Sequence, residues 1–576
     1  MQAESIRAEP VQTEPLIRKF GQWFATFALA FSVIWVSFKD GGAHRPTLVM
    51  AQLLVFAALI ILALTKGLVL PKNRGTLMAV GVVVLAASVS TAASLDLDAS
   101  FPALLNWLWV GAVALLAPAV LQDARRYDLM IAALLGAVLI QVAYSFWIWQ
   151  GIGVAGRLQS GTFHSPNQYA GYLILLVPIL LTAALTEPGV IRKVGWGLLA
   201  VLVYLGIALS GSRAGAVAAV IGVCIAVGLC ARRQPGRTLA SLGVIAIGFV
   251  GAGWLMTGPV FFPEVQGEAS AGALTTFKSK AGSGPRSSFE RIEWSKAAFR
   301  IGASRPLTGA GLGTFPDMIF EFQDETVPWS RYAHNDYFEA FADGGLPLSG
   351  GLIALPITAL WAARRRLVGW RIGLAAGLVG ASAHLLVDHD WSYPGYSVTY
   401  MLMAMMLAVD PNDAPRITTK SFRAPLIIVA GALIVLLMNG SKPFATKPQL
   451  RKAEKLIALG GVQNLRQAEK ILVQARSTDQ LDLPLSWHLA SVKNRLGLVD
   501  EARRLHEAAI NRAPNAIRVY VEAAEFELSA ERPEAALKLS NRGIALIRGR
   551  VDRDRLVRTL SELLLLSASA QERLEP

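Results

Sequence analysis

Cysteine and charge are both scarce in this chain. Its two cysteines, Cys224 and Cys230, lie in one apolar run, which excludes a disulfide framework and a thiolate zinc site. Charged residues make up only 17% of 576 residues against 53% hydrophobic, with a mean hydropathy of +0.44. Soluble domains carry roughly a quarter charged residues, so the composition excludes an ordinary globular enzyme and indicates a polytopic membrane protein. A small-residue cleavage site is also missing after the apolar run that follows Phe20, so this run reads as a retained first span and not a removed signal peptide.

Thirteen runs are long enough to cross hydrocarbon. They fall near 20–38, 48–65, 76–93, 102–121, 128–148, 169–186, 194–210, 213–230, 238–257, 346–363, 370–388, 395–409 and 424–440, the run at 395–409 being the shortest. Alternate connections hold seventeen basic residues: Lys66, Lys72, Arg74, Arg125, Arg126, Arg192, Lys193, Arg232, Arg233, Arg237, Arg364, Arg365, Arg366, Arg371, Arg416, Lys420 and Arg423. The intervening short loops hold four: Lys39, Arg45, Arg157 and Arg213. By the positive-inside rule the N-terminus is cytoplasmic. Much of the net charge of +14 is then a topogenic signal, and no nucleic-acid partner is implied.

The expected organisation is a cytoplasmic tail (1–19), nine spans (20–257), an extracytoplasmic insertion (258–345), four spans (346–440) and an extracytoplasmic helical tail (441–576). In the tail, "RQAEKILVQA", "DEARRLHEAA" and "PEAALKLSNR" place Ala468, Ala502 and Ala535 at spacings of 34 and 33. That period fits a tetratricopeptide-like α-solenoid, with Trp487, Gly497 and Pro514 at suitable places; an irregular bundle is the alternative. Such a tail offers a docking surface for a protein partner. The fold class is thus all-α: about 12–13 transmembrane helices, a large outer loop and a helical-repeat domain.

On the outer side positive charge is rare. Arg213, in "LSGSRAGAVAA", is flanked by Gly211, Ser212 and Gly215, which would let a headgroup approach. Its guanidinium either snorkels to lipid phosphate or grips a diphosphate through paired hydrogen bonds. "SSFERIEWSKAAFRIGASRPLTGAGLGTF" begins as an amphipathic helix, with Phe289, Ile292, Ala297 and Phe299 on an apolar side and Arg291 and Lys296 on the other. Gly309, Gly311 and Gly313 suit either a phosphate loop or a turn passing close beneath a helix. His334 is the best general-base candidate; Asn335 would bind a sugar or orient the ring, and Glu339 lies about one turn beyond. "SGTFHSPNQYAGYL" adds His164 and Asn167 on the same side. His384 and Asp388 have metal-ligand spacing, but Asp388-His389-Asp390 at a membrane boundary reads as a solvated cap, and no metal or other cofactor is expected.

Taken in order, "GTFHSPNQYAGYL", "SGSRAGAV", "RIEWSKAAF…RPLTGAGLGTF" and "HNDYFEAFADGGLPLSG" resemble the O-antigen ligase superfamily, over roughly residues 20–410. This superfamily also includes surface-polysaccharide polymerases and O-linked protein oligosaccharyltransferases. The resemblance implies an inverting, metal-independent glycosyltransferase at the outer face of the bacterial inner membrane. The donor would be a glycan on a polyprenyl diphosphate; the acceptor would be lipid A-core, a growing glycan or a protein. It assigns Arg213 and Arg291 to the diphosphate and His334 to catalysis, with Asn167, Asn335, Arg305 and Glu339 as further substrate-binding candidates. The repeat tail and a thirteenth span depart from the family pattern. A lipid-linked glycan transporter would instead want charged residues lining a path within the spans, which most spans lack. A non-catalytic scaffold presenting the repeats is the third reading.

Overall fold

The computed structural model of the protein describes residues 16–42, 44–152, 160–236, 284–323, 327–411, 416–440, 442–478, 483–514, 517–546 and 554–574. Among these residues helices dominate, and the fold is all-α apart from one two-residue strand pairing. Eight helices come first: α1 (Leu16–Phe31, continued by a π-helical turn over Ser32–Val36), α2 (Arg45–Leu64), α3 (Gly75–Ala92), α4 (Leu97–Leu121), α5 (Ala124–Ile152), α6 (Pro166–Thr186), α7 (Val190–Leu209) and α8 (Arg213–Arg233). Then come α9 (Gly284–Ser304), α10 (Asp336–Ala363), α11 (Trp370–His384), α12 (Pro394–Ala408) and α13 (Lys420–Gly440).

Ten of these helices, α1–α8, α10 and α13, are long and apolar enough to cross a membrane. The expected span at 238–257 lies outside the described residues. The runs expected at 370–388 and 395–409 form α11 and α12, of 15 residues each. About 22 Å long at 1.5 Å per residue, they are shorter than the hydrocarbon layer. Protein shields them instead: every residue of α12 is buried. Arg371 closes this hairpin, donating to the carbonyls of Leu407 and Val409 at 3.2 and 2.9 Å, groups that α12 leaves without an intrahelical donor. Gly373 and Gly377, one turn apart, abut the backbone of α6 at Ile179 and Leu175, where a Cβ would collide. Small residues permit this close helix approach, and α6 is the most enclosed span.

The connections expected on the outer side meet at one end of the bundle. Gly41 packs on Phe163 and Tyr393. Leu95 N–H donates to Ala310 O at 3.0 Å, and Asp336 N–H to Leu385 O at 2.9 Å. Several of the basic connections meet elsewhere: Val69 pairs with Ile417, Arg423 donates to Ala63 O, and Arg366 pairs with Asp410 at 2.7 Å.

Beyond α13 follow α14 (Lys442–Leu459), α15 (Val462–Thr478), α16 (Leu483–Arg495), α17 (Val499–Arg512), α18 (Ile517–Ser529), α19 (Pro533–Ala545) and α20 (Asp554–Glu572). The starts of α16 and α18, and of α17 and α19, are each 34 residues apart (517 − 483 and 533 − 499). One correction concerns register. Ala468 and Ala502 are fully buried, but their counterpart is Ala536, not Ala535, so both spacings are 34. Gly497, at φ 82°, makes the turn between α16 and α17, a left-handed conformation that favours glycine.

Candidate functional site

Three elements from distant parts of the chain build the site. Ser212 caps α8, its hydroxyl accepting from Gly215 N–H at 3.1 Å, and this places Arg213 at the first turn. A cation there opposes the helix dipole, so the α8 terminus and the guanidinium together attract an anion. Helix α9 supplies Arg291. The turn before α10 supplies His334.

That turn is held from several sides. His334 has φ 51°, a left-handed conformation uncommon outside glycine and retained only where the surroundings over-determine it. Ser295 Oγ donates to Ala333 O at 3.1 Å, and Ala333 N–H donates to Glu339 Oε2 at 2.8 Å. Asn335 is the N-cap of α10; its Oδ1 accepts from Tyr337 and Phe338 N–H at 3.1 and 3.0 Å. The polar segment after Tyr332 is thus the first part of a spanning helix, kinked at Gly345, where φ is 70°.

Arg213, Arg291 and His334 line one cavity of about 810 Å³, together with Asn335, Lys296 and Arg300. Its remaining wall is apolar and largely open to the surroundings: Val217, Ile292, Phe299 and Leu386 are all more than half exposed. This corrects the amphipathic reading of α9. Ala297, Ala298 and Ile301 make its buried face, whereas Phe289, Ile292 and Phe299 face outward.

Behind the cavity lies Asp388, completely buried. His334 Nδ1 is 3.2 Å from its Oδ1, His389 Nδ1 is 3.0 Å from the same oxygen, and Gln168 Nε2 donates to it at 2.9 Å. Arg291 faces Oδ2 at 3.5 Å and donates to Val387 O at 3.1 Å. Trp294 stacks on His334 and Tyr332 on His389, with centroids 5.2 and 4.0 Å apart. The expectation of a solvated cap at 388–390 is therefore overturned: Asp388 and Asp390 are inaccessible and His389 nearly so. Packing from α6, α9 and Tyr332 encloses this connection, which local sequence could not show. Intramembrane-type charge between apolar runs was the available signal.

Burial pushes the His334 imidazole below its ordinary value, against the opposing pull of Asp388. For Asp388, burial acts upward, but hydrogen bonds from His334 and His389 and the Arg291 charge hold it well below the usual carboxylate range. The nearest donor atoms of His334, Asp388 and His389 lie within 4.8 Å of one another, close enough to share a metal ion. Without one, both imidazoles can donate to the single carboxylate oxygen.

Other candidates stand apart from the large cavity. Asn167 sits in the first turn of α6, where its backbone N–H donates to Ser165 Oγ at 3.3 Å. Arg305 is exposed just beyond α9. Glu339 lines a second cavity. Of the two readings for the glycines, the close turn fits. Ala310 and Gly311 N–H donate to Ala342 O and Asp343 O at 2.8 and 3.1 Å, and a Cβ on Gly309 would strike the Asp343 backbone.

Residues 198–353, which include Arg213, Arg291 and His334, match the family model described as O-Antigen ligase. No curated protein matches the chain. The matched segment is about a quarter of the chain, and with ten helices long and apolar enough to cross a membrane it supports a multi-pass membrane protein with a region similar to O-antigen ligases.

Proposed function

We propose that the protein transfers a glycan from a polyprenyl diphosphate to an acceptor hydroxyl, at the extracytoplasmic face of a bacterial inner membrane. One observation carries the reading: a single cavity unites four basic side chains, an imidazole and an exposed apolar wall. Such a surface suits an anionic headgroup joined to a hydrocarbon tail. A soluble substrate would need no apolar opening, and a transported ion would need a path through the spans.

In the proposed reaction the acceptor oxygen attacks the anomeric carbon, opposite the leaving group. The carbon–oxygen bond to the diphosphate breaks, and the diphosphate leaves on the polyprenyl chain. Arg213 and Arg291 stabilise the negative charge that grows on it, the kind of interaction that lowers a barrier because it strengthens in the transition state. His334 Nδ1–H donates to Asp388, which leaves Nε2 to take the hydroxyl proton. Asp388 is thus a positioning residue. The lowered proton affinity of His334 keeps it neutral, and hence competent as a base, at ordinary pH. No resident metal takes part. The helices after α13 extend outward as repeats that dock a protein partner.

Purified full-length protein in lipid nanodiscs, given a polyprenyl-diphosphate oligosaccharide and candidate acceptors, tests this. Transfer should fall in Arg213→Ala, Arg291→Ala and His334→Ala. Undiminished transfer in all three variants overturns the reading. Product mass separates glycan extension from ligation to lipid A-core or protein.

A further inference from the structure

On the far side of the Tyr332–His389 stack lies a smaller cavity, of about 170 Å³. Three carboxylates on α10, Asp336, Glu339 and Asp343, reach it at i, i+3 and i+7. Each has one oxygen anchored by a backbone N–H from a different segment: Trp391 to Asp336 Oδ2 at 2.9 Å, Ala333 to Glu339 Oε2 at 2.8 Å, and Gly313 to Asp343 Oδ2 at 2.8 Å. The second oxygens have no partner among the described residues. Asp336, 5% exposed, is the most enclosed of the three and lines the cavity, and the buried Oδ1 of Asp343, also in the lining, has no hydrogen-bond partner among the described residues.

The rest of the lining is not acidic. Trp107 and Trp391 stack with centroids 5.3 Å apart, and both line the cavity. Asn106 accepts from Gln52 through Oδ1 at 2.9 Å, so its amide N–H groups remain for a ligand. Carboxyl oxygens accept hydrogen bonds from sugar hydroxyls. Aromatic faces carry negative potential and suit the polarised C–H face of a pyranose. A metal ion would be served by the carboxylates but not by an amide donor or two indoles. The volume is below the range of pockets for drug-sized ligands, so it suits one small ring.

We propose that this cavity is a sugar subsite that seats one neutral pyranose ring of the acceptor glycan, beside the His334 turn. The assignment rests on the glycan-transfer reading for its acceptor role, but binding itself can be measured separately. Tyr332 both lines the subsite and stacks on His389, whose Nδ1 is 3.3 Å from His334 Nδ1. Two rings, Tyr332 and His389, lie between the sugar and the candidate base.

The test uses the full-length protein in nanodiscs and a panel of methyl pyranosides, followed by saturation-transfer NMR. Wild type and His334→Ala should both show transfer to at least one pyranoside. Trp107→Ala and Asp336→Asn, checked for unchanged thermal melting, should each weaken binding by about tenfold, the loss of one hydrogen bond or its equivalent in contact. Where either variant melts early, Glu339→Gln, which can still accept from Ala333, gives the same readout. Three results overturn the subsite: no pyranoside binds wild type, binding persists in Trp107→Ala and Asp336→Asn, or calcium binds there and no sugar does. Donor binding, followed with a polyprenyl diphosphate bearing a fluorophore, distinguishes the two readings. Its absence with sugar binding intact defeats the transfer reading alone; its presence with no sugar binding defeats only the subsite.

Discussion

The two cavities that flank the His334 turn differ in every respect that governs recognition. One is large, basic and open through an apolar wall; the other is small, acidic and lined by indoles. Both draw on the same helix, α10, and the turn that precedes it. The difference shows how a membrane protein can hold unlike chemistry a few residues apart. Arg213 and Arg291 arrive from helices beside the turn, whereas the carboxylates project from α10 itself toward α4 and α12. Charge separation of this kind suits a site that must hold an anion on one side and an uncharged polyol on the other.

The largest expected effect that tests this contrast is at the turn itself. His334→Ala should lower transfer about a hundred- to ten-thousandfold, the usual worth of a general base, with donor binding retained. Turnover measured beside equilibrium donor binding checks it. Next comes Arg213→Ala, which should cost about a hundredfold or more in rate, as for loss of one preorganised donor to a growing anion. Arg291→Ala should also unsettle Asp388, so its effect should exceed that of Arg213→Ala in thermal melting as well as in turnover. Equal melting points would break that distinction.

Asp388→Asn should lower the plateau rate about ten- to a hundredfold, the scale of one charge-assisted hydrogen bond. The sign of its pH effect is fixed. Transfer should rise with pH as His334 loses its proton, with a midpoint below the usual imidazole value of about 6.5, and stay level above it. Asp388 pulls that midpoint up, so removing its charge should move the acid limb to still lower pH while the plateau drops. A limb that moves upward sinks the assigned geometry. Chelation should change nothing: exhaustive treatment with a metal chelator, followed by elemental analysis and assay, should leave turnover intact. The smallest effect is structural. Asn335→Ala removes the α10 cap and should cost about 1 kcal/mol, read in thermal or denaturant melting.

Much of the site was legible along the chain, because rare residue types against an apolar background stand out. Arg213, Arg291 and His334 were each visible, and they line one cavity. The Asp388–His389 pair was visible too but was read as solvated. Its enclosure depends on Gln168, Trp294 and Tyr332, which approach from 56 to 220 positions away and leave no local trace. The outward-facing aromatics of α9 were misassigned for a related reason: helical periodicity finds an apolar face without saying whether protein or lipid covers it. Asn335 and Glu339 were read as ligands, and both also serve the turn, one as a helix cap and the other as an acceptor for Ala333 N–H.

Sequence alone determined the membrane class, the alternation of basic connections and a helical period of 33 to 34 residues in the tail, since each follows from composition or spacing along the chain. Tertiary structure alone decided that the short α11 and α12 are enclosed by protein. It also decided that Asp388 lies buried behind His334, and that α10 separates a basic cavity from an acidic one. Burial and charge pairing depend on which distant segments meet, and no short window of residues contains that information.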